Sequence, residues 1–167
     1  ASLGKLNAQR ADELEKLIDL ASSPEDRATW IRQFADTVSA AVQSGDYAQG
    51  VPRLKAVLQR AKQEKLPAEV VAFVTFRYMT ADYGQSVQKP DADFAKIQEK
   101  WLERLRKFVE EYPRVEDAAE AMLQLAISEE FAGKEEAAGD WYARIVSDFP
   151  ESRFAATSKD EWVRVDG

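Results

Sequence analysis

The sequence contains no cysteine and no histidine among its 167 residues. The lack of cysteine excludes disulfides, thiolate zinc sites and cysteine nucleophiles. The lack of histidine removes the side chain on which most general acid–base sites, Ser-His-Asp triads and zinc sites depend. Any catalysis would have to use carboxylates, Lys, Tyr or Ser, and no cofactor-binding motif is present. We therefore expect a protein without zinc, cofactor or enzymatic activity.

Long apolar runs and an excess of positive charge are also lacking. No uninterrupted apolar run approaches the ~20 residues that a membrane span needs, so we expect none. No charged-then-apolar leader precedes the first helix, and we expect a signal peptide to be absent or removed. The net charge is −7 and the isoelectric point about 4.8. Nucleic acid and anionic membranes are therefore unfavourable partners.

What the sequence does contain is helical periodicity. Apolar residues recur at spacings of three and four, and no useful length of chain alternates with period two, which predicts an all-α fold of about eight helices. The predicted helices are 3–21, 24–44, 46–64, 67–83, 93–112, 115–132, 134–148 and 151–163. Asp46 is expected to cap the third helix, and Asp91 or Asp93 the fifth. The segment 84–90 is the one predicted long loop.

A repeat lies in the second half of the chain. The run Phe-Val-Glu-Glu-Tyr-Pro at 108–113 recurs as Ile-Val-Ser-Asp-Phe-Pro at 145–150, an offset of 37 residues. A period in this range is typical of stacked helical hairpins.

The residues around this repeat resemble the tetratricopeptide family. Large and small residues stand at the spacing of that family's two helices: Met122, Leu125, Ala126, Ala138, Tyr142 and Pro150. Glu129 and Ile145 depart from the pattern. The resemblance implies a single domain, an α-solenoid of antiparallel hairpins. Its parts are N-terminal helices over 1–66, a middle hairpin over 67–113, and the best-matching repeat with a final helix over 114–167.

A narrower resemblance covers 107–113, 118–126, 130–137, 141–142 and 145–152. These segments look like the helical region that precedes a thioredoxin-like domain in some bacterial thiol–disulfide proteins, and like outer-membrane lipoproteins with tetratricopeptide repeats. The resemblance implies an attached thioredoxin-like domain and a location in the bacterial periplasm or cell envelope. The chain has no Cys-x-x-Cys, so it would be the helical part only.

Two groups of acids are candidate metal sites. Glu116, Asp117 and Glu120 share a helix, but acids in a first helical turn are ordinary partners of the helix dipole. Asp91 and Asp93 begin a calcium-loop pattern that lacks the required glycine and the final glutamate. We therefore expect helix caps and no metal site.

Arg77 is a charged residue in the fourth predicted helix, which is apolar nearly all round. One interpretation is that it binds a ligand carboxylate. The other is that it pairs with an acid such as Glu69, Asp82 or one on a neighbouring helix.

The sixth predicted helix carries the main candidate site. Three large apolar residues recur at a spacing of four beside its packing stripe: Leu123, Ile127 and Phe131. Glu120 and Glu130 lie at the rim of this second stripe. Either a neighbouring helix covers the stripe, or it forms an apolar groove on the concave surface for a peptide or partner helix.

Charge is distributed unevenly along the chain. Residues 108–140 hold ten acids and two bases. One interpretation is a solvated helix face; the other is that this charge steers a basic partner. The function we expect is a non-catalytic scaffold that binds a basic or apolar protein or peptide, or positions an attached domain. The alternative is the accessory helical domain of an enzyme, with a small-ligand pocket.

Overall fold

The computed structural model describes residues 2–166, and these contain α-helices and no β-strand. The prediction of an all-α fold with eight helices is confirmed. None of the described helices is both long enough and apolar enough to cross a membrane. The helices are α1 (Leu3–Leu20), α2 (Pro24–Gln43), α3 (Gly50–Gln63), α4 (Ala68–Val87), α5 (Phe94–Glu111), α6 (Glu116–Phe131), α7 (Glu135–Asp148) and α8 (Arg153–Asp166).

Local signals account for several helix ends. The Ser23 hydroxyl accepts a hydrogen bond from the Asp26 amide, and Pro24 is the first residue of α2. This satisfies a backbone donor that would otherwise have no partner. Gly45 and Gly133, with φ of 82° and 72°, follow α2 and α6. That left-handed conformation ends a helix at little cost only when the residue is glycine. At α5, Asp93 is the capping residue, because its carboxylate accepts the Lys96 amide.

Two local predictions were wrong. The fourth helix does not end before Gly84 but continues to Val87, so the first part of the predicted loop is helical. The third helix begins at Gly50 without a side-chain cap, and Asp46 instead accepts a hydrogen bond from the Ser44 hydroxyl. Asp46 is thus held in the turn before α3, and Tyr47 is buried in that turn.

The chain divides into two compact units, Ala1–Gln98 and Glu99–Gly167. In the first unit α2 packs against α1, α3 and α4, and α3 also packs against α4. Its core is apolar, with fully buried side chains from all four of these helices: Ile18, Ile31, Phe34, Leu54, Val70 and Val74. The nearly all-apolar α4 contacts both α2 and α3, which explains its lack of a polar face.

In the second unit α6 packs against α7 and α8, and α7 packs against α8. The Trp101 indole of α5 donates a hydrogen bond of 2.9 Å to the Gln124 side chain of α6. The core combines large side chains with alanines, which allow helices to approach closely. Its fully buried large residues are Leu105, Met122, Leu125, Tyr142 and Ile145.

Candidate functional site

Helix α6 has one buried face and one open face. Its buried residues are Ala118, Ala119, Ala121, Met122, Leu125 and Ala126. On the other side, Ile127 is 42% exposed and Phe131 is 90% exposed. Residues four apart lie on the same side of a helix, so these two side chains form one surface. We call Ile127 and Phe131 the α6 patch.

Leu123, the remaining residue of the predicted stripe, has a different environment from Ile127 and Phe131. It is half-buried and packs against the cluster of Ala126, Ala138 and Tyr142. Trp162 and Val165 of α8 pack against the same cluster. The predicted stripe is therefore covered at its N-terminal end, where Leu123 packs against other helices of the unit, and exposed at Ile127 and Phe131.

Glu130, a predicted rim residue, is held by both following helices. It accepts a hydrogen bond of 2.5 Å from the Tyr142 hydroxyl of α7, and it pairs with the Arg164 guanidinium of α8. The Tyr142 hydrogen bond lowers the pKa of Glu130; partial burial opposes this effect and Arg164 adds to it. Burial, and then the bond to Glu130, raise the pKa of Tyr142. Glu130 thus fastens α6 to α7 and α8, with limited capacity left for a ligand.

The other acids of α6 are also engaged within the chain. Glu120, the second predicted rim residue, is half-buried and has a polar partner. Glu116 accepts a hydrogen bond of 2.6 Å from the Ser152 hydroxyl. Glu129 pairs with Arg106 of α5 and with Lys134 in the turn after α6. Its carboxylate therefore has a structural role where the tetratricopeptide pattern has an aromatic residue.

The structure adds three acids that the sequence analysis did not single out. Glu135, Glu136 and Asp140 lie on α7, which begins four residues after Phe131. All three are exposed, and they form no ion pair within residues 2–166. Within the acidic run 108–140, Glu110 and Glu111 of α5 are likewise exposed and form no ion pair in the described part of the chain.

Arg77, the remaining candidate, belongs to the first unit, whereas the α6 residues belong to the second. Its guanidinium donates a hydrogen bond of 3.0 Å to Asp36 of α2 and lies 3.7 Å from the centre of the Phe73 ring. This is the second of the two interpretations, with the acid on a neighbouring helix. The Arg77 charge is thus used in joining α4 to α2.

Among residues 2–166, no three acidic side chains are grouped so that they could hold a metal ion. The surface has grooves between helices. One, of 470 Å³, lies at the turn between α1 and α2, where Arg27 and Glu64 pair at 2.9 Å. The two charged side chains of this groove therefore bond to each other, which leaves them less available to orient a small ligand.

Comparisons with known proteins add no relative, since no protein-family model, curated protein or solved structure matches the chain.

Proposed function

We propose that this chain is a non-catalytic helical scaffold that binds a partner protein on the α6 patch. The observation that carries the proposal is the exposure of Phe131, at 90%, next to Ile127 on one side of a well-packed helix. Single exposed apolar residues are common on protein surfaces, but an adjacent pair that includes a large aromatic residue suits an interface anchor.

The packing of the helices supports a tetratricopeptide-like architecture. In the first unit α2, α3 and α4 contact one another pairwise, and in the second unit α6, α7 and α8 do the same. Stacked hairpins produce this arrangement, because the first helix of each hairpin meets both its own partner and the next hairpin. In such an array α6 would be the first helix of a hairpin, and its open face would line the concave surface.

The exposed acids on α7 support a partner of opposite charge. Glu135, Glu136 and Asp140 follow the α6 patch in the chain and have no counter-ion among the described residues. A partner that places Lys or Arg around one or two large apolar side chains would match both features. We therefore propose a basic, amphipathic segment as the ligand.

The narrower resemblance supplies one candidate for what the scaffold serves. On that resemblance we propose a thioredoxin-like domain, attached or separate, and a location in the bacterial periplasm or cell envelope. The alternative function is an enzyme's accessory domain with a small-ligand pocket; in the groove at the α1–α2 turn, its two charged side chains, Arg27 and Glu64, pair with each other.

A defined peptide tests the proposal without knowledge of the natural partner. The probe is a fluorescent helical peptide of about 14 residues made of leucine and lysine, and its counterpart has glutamate for lysine. We expect the lysine peptide to bind and Phe131→Ala to weaken its binding by about 1–3 kcal/mol in fluorescence anisotropy.

The matched control is Phe94→Ala, which removes an exposed phenylalanine from α5. It should leave the affinity unchanged. Equal binding of the lysine and glutamate peptides, or equal losses for the two alanine variants, would contradict the proposal.

A further inference from the structure

Helix α1 presents three distinct faces. Ala11, Leu14 and Ile18 are buried, and they lie on the side of α1 that packs against α2. A second face is acidic: Asp12 and Glu15 each pair with Arg53 of α3 at 2.9 Å, and Asp19 pairs with Arg60 of α3 at 2.6 Å. These two faces account for the attachment of α1 to its own unit, and they leave the third face outward.

The outward face has a regular pattern. Its residues follow one another at spacings of three and four, as the first and fourth positions of a heptad do in a coiled coil. We call this set the α1 seam: Leu3, Leu6, Arg10, Glu13, Leu17 and Leu20. Leu3 is 61% exposed and Leu20 is 78% exposed, although leucine at these positions of a coiled coil is normally buried. Three of its four leucines are among the exposed large apolar residues of the described chain.

A groove runs along this seam. Its volume is 530 Å³, and seam residues Leu6, Arg10 and Glu13 line it together with Gln33 and Thr37 of α2. A comparable groove between α3 and α4 is occupied by a third helix, since α2 packs against both α3 and α4. Beside α1 and α2 no helix of the described first unit takes that position, so the position is open to a helix from another molecule.

The seam sequence is complementary to itself when it is reversed. With a twofold axis between residues 11 and 12, two antiparallel copies pair Leu3 with Leu20, Leu6 with Leu17, and Arg10 with Glu13. Every layer then joins leucine to leucine or a cation to an anion. In an antiparallel coiled coil such layers form between the first and fourth heptad positions, which is the pairing required here.

The charged layer selects this orientation. Parallel copies would place Arg10 on Arg10 and Glu13 on Glu13, and like charges in contact oppose association. In the monomer Arg10 is exposed and forms no ion pair in the described chain. Glu13 pairs with Lys16 of the same helix at 2.9 Å, with both side chains largely exposed. Such a surface pair contributes little and is readily exchanged for one across an interface.

We propose that the chain forms a twofold-symmetric dimer in which the α1 seam of each copy lies antiparallel in the α1–α2 groove of the other. Each copy offers the same patch to its partner, as an isologous interface requires. The contact extends over one helix of 18 residues and its groove wall, which suits a dimer of moderate affinity. This proposal does not depend on the α6 patch.

Sedimentation equilibrium over about 1–500 µM protein tests the dimer. The chain should rise from its single mass of 18.8 kDa to twice that mass. Arg10→Glu should shift the midpoint at least about tenfold towards higher concentration, because it places two acids in each charged layer. Glu13→Arg should do the same, and the double variant should regain association because it restores opposite charges.

Mixing the two single variants gives the sharpest result. Arg10→Glu alone and Glu13→Arg alone should remain monomeric at concentrations where their equimolar mixture dimerises, since only the mixed pair has opposite charges in both layers. Lys159→Glu and Asp160→Arg on α8 are exposed controls with the same charge changes, and both should associate like the parent chain. Circular dichroism should show the same helix content for every variant.

Three outcomes would overturn the proposal. The first is a single-chain mass at every concentration. The second is a dimer that persists unchanged in both single variants. The third is a mixture of the two variants that associates no better than its components.

Discussion

The hydroxyl of Tyr142 donates a hydrogen bond of 2.5 Å to the carboxylate of Glu130. This bond joins α7 to the last turn of α6, one residue before Phe131. Glu130, which the sequence predicts at the rim of a binding site, therefore connects two helices. Because Arg164 of α8 binds the same carboxylate, one acid holds three helices of the second unit together.

Replacing Tyr142 with phenylalanine should lower the free energy of unfolding at neutral pH by about 1–2 kcal/mol, because the Glu130 carboxylate loses the hydrogen bond from the Tyr142 hydroxyl. The pKa of Glu130 is lowered in the folded state from its usual value of 4.5. Its contribution to stability is therefore present above pH 4.5 and is lost as the pH falls through the lower folded-state pKa. Urea unfolding measured from pH 3 to pH 7 should therefore show a smaller loss of stability on acidification in the variant than in the parent chain.

Glu130→Gln distinguishes the effect of the Glu130 charge from that of its hydrogen bond to Tyr142, because glutamine keeps a hydrogen-bond acceptor but has no ionisable group. It should also flatten the fall in stability below pH 4.5. An unchanged pH profile in both variants would show that Glu130 does not contribute to acid sensitivity.

Phe131→Ala should leave the melting temperature almost unchanged. The side chain is 90% exposed, so its removal creates no cavity, and surface substitutions usually change stability by less than about 0.5 kcal/mol. Leu125→Ala on the buried face of the same helix should cost about 2–5 kcal/mol. Differential scanning calorimetry of the two variants compares the faces directly. A large loss for Phe131→Ala would mean that the α6 patch is covered, and the binding proposal would then fail.

The spacing of residues was sufficient to predict the all-α fold and the two stripes of α6. It was not sufficient to tell which part of the second stripe is open. Leu123 packs beside Trp162 and Val165 in the cluster of α6 and α7, and these α8 residues are distant in sequence. Periodicity reports which side of a helix is apolar, but the covering of that side depends on contacts between distant elements.

The end of α4 was missed for a similar reason. Glycine commonly follows a helix, and the predicted loop begins at Gly84. In the structure the Gln85 side chain donates a hydrogen bond to the Ala48 carbonyl, and the Gln88 side chain donates one to the Gln43 carbonyl. These tertiary bonds support a last turn that local propensity does not favour.

Arg53→Met should loosen α1. Arg53 pairs with Asp12 and Glu15 and donates a hydrogen bond of 3.1 Å to the Tyr47 hydroxyl. Methionine keeps the aliphatic stem and loses every one of these bonds, so we expect a loss of about 1–3 kcal/mol in stability. Hydrogen exchange followed by mass spectrometry should show that the substitution increases the exchange rate of α1 more than that of α4.

The control for this experiment is Lys62→Met, which removes an exposed charge from the same helix. It should change neither stability nor the exchange of α1. Equal protection of α1 in both variants would mean that its apolar face alone holds it in place.

Two glycine-to-alanine substitutions should have opposite effects. A Cβ atom at Gly50 would lie 2.4 Å from a Val42 methyl and 2.9 Å from a Val38 methyl. Both methyls belong to packed core residues, so Gly50→Ala should cost about 1–3 kcal/mol through overpacking. At Gly84 the nearest atom is Cγ of Gln43, at 3.4 Å. Gly84→Ala should therefore stabilise the protein by roughly 0.5–1 kcal/mol, the usual advantage of alanine inside a helix.

Thermal unfolding of the two variants measures both effects. Shortening Val42 to alanine in the Gly50→Ala background should recover part of the loss, because it removes the closest methyl contact. If Gly84→Ala destabilised the protein instead, residue 84 would not be in a helix interior, and the predicted loop over 84–90 would be the better description of this segment.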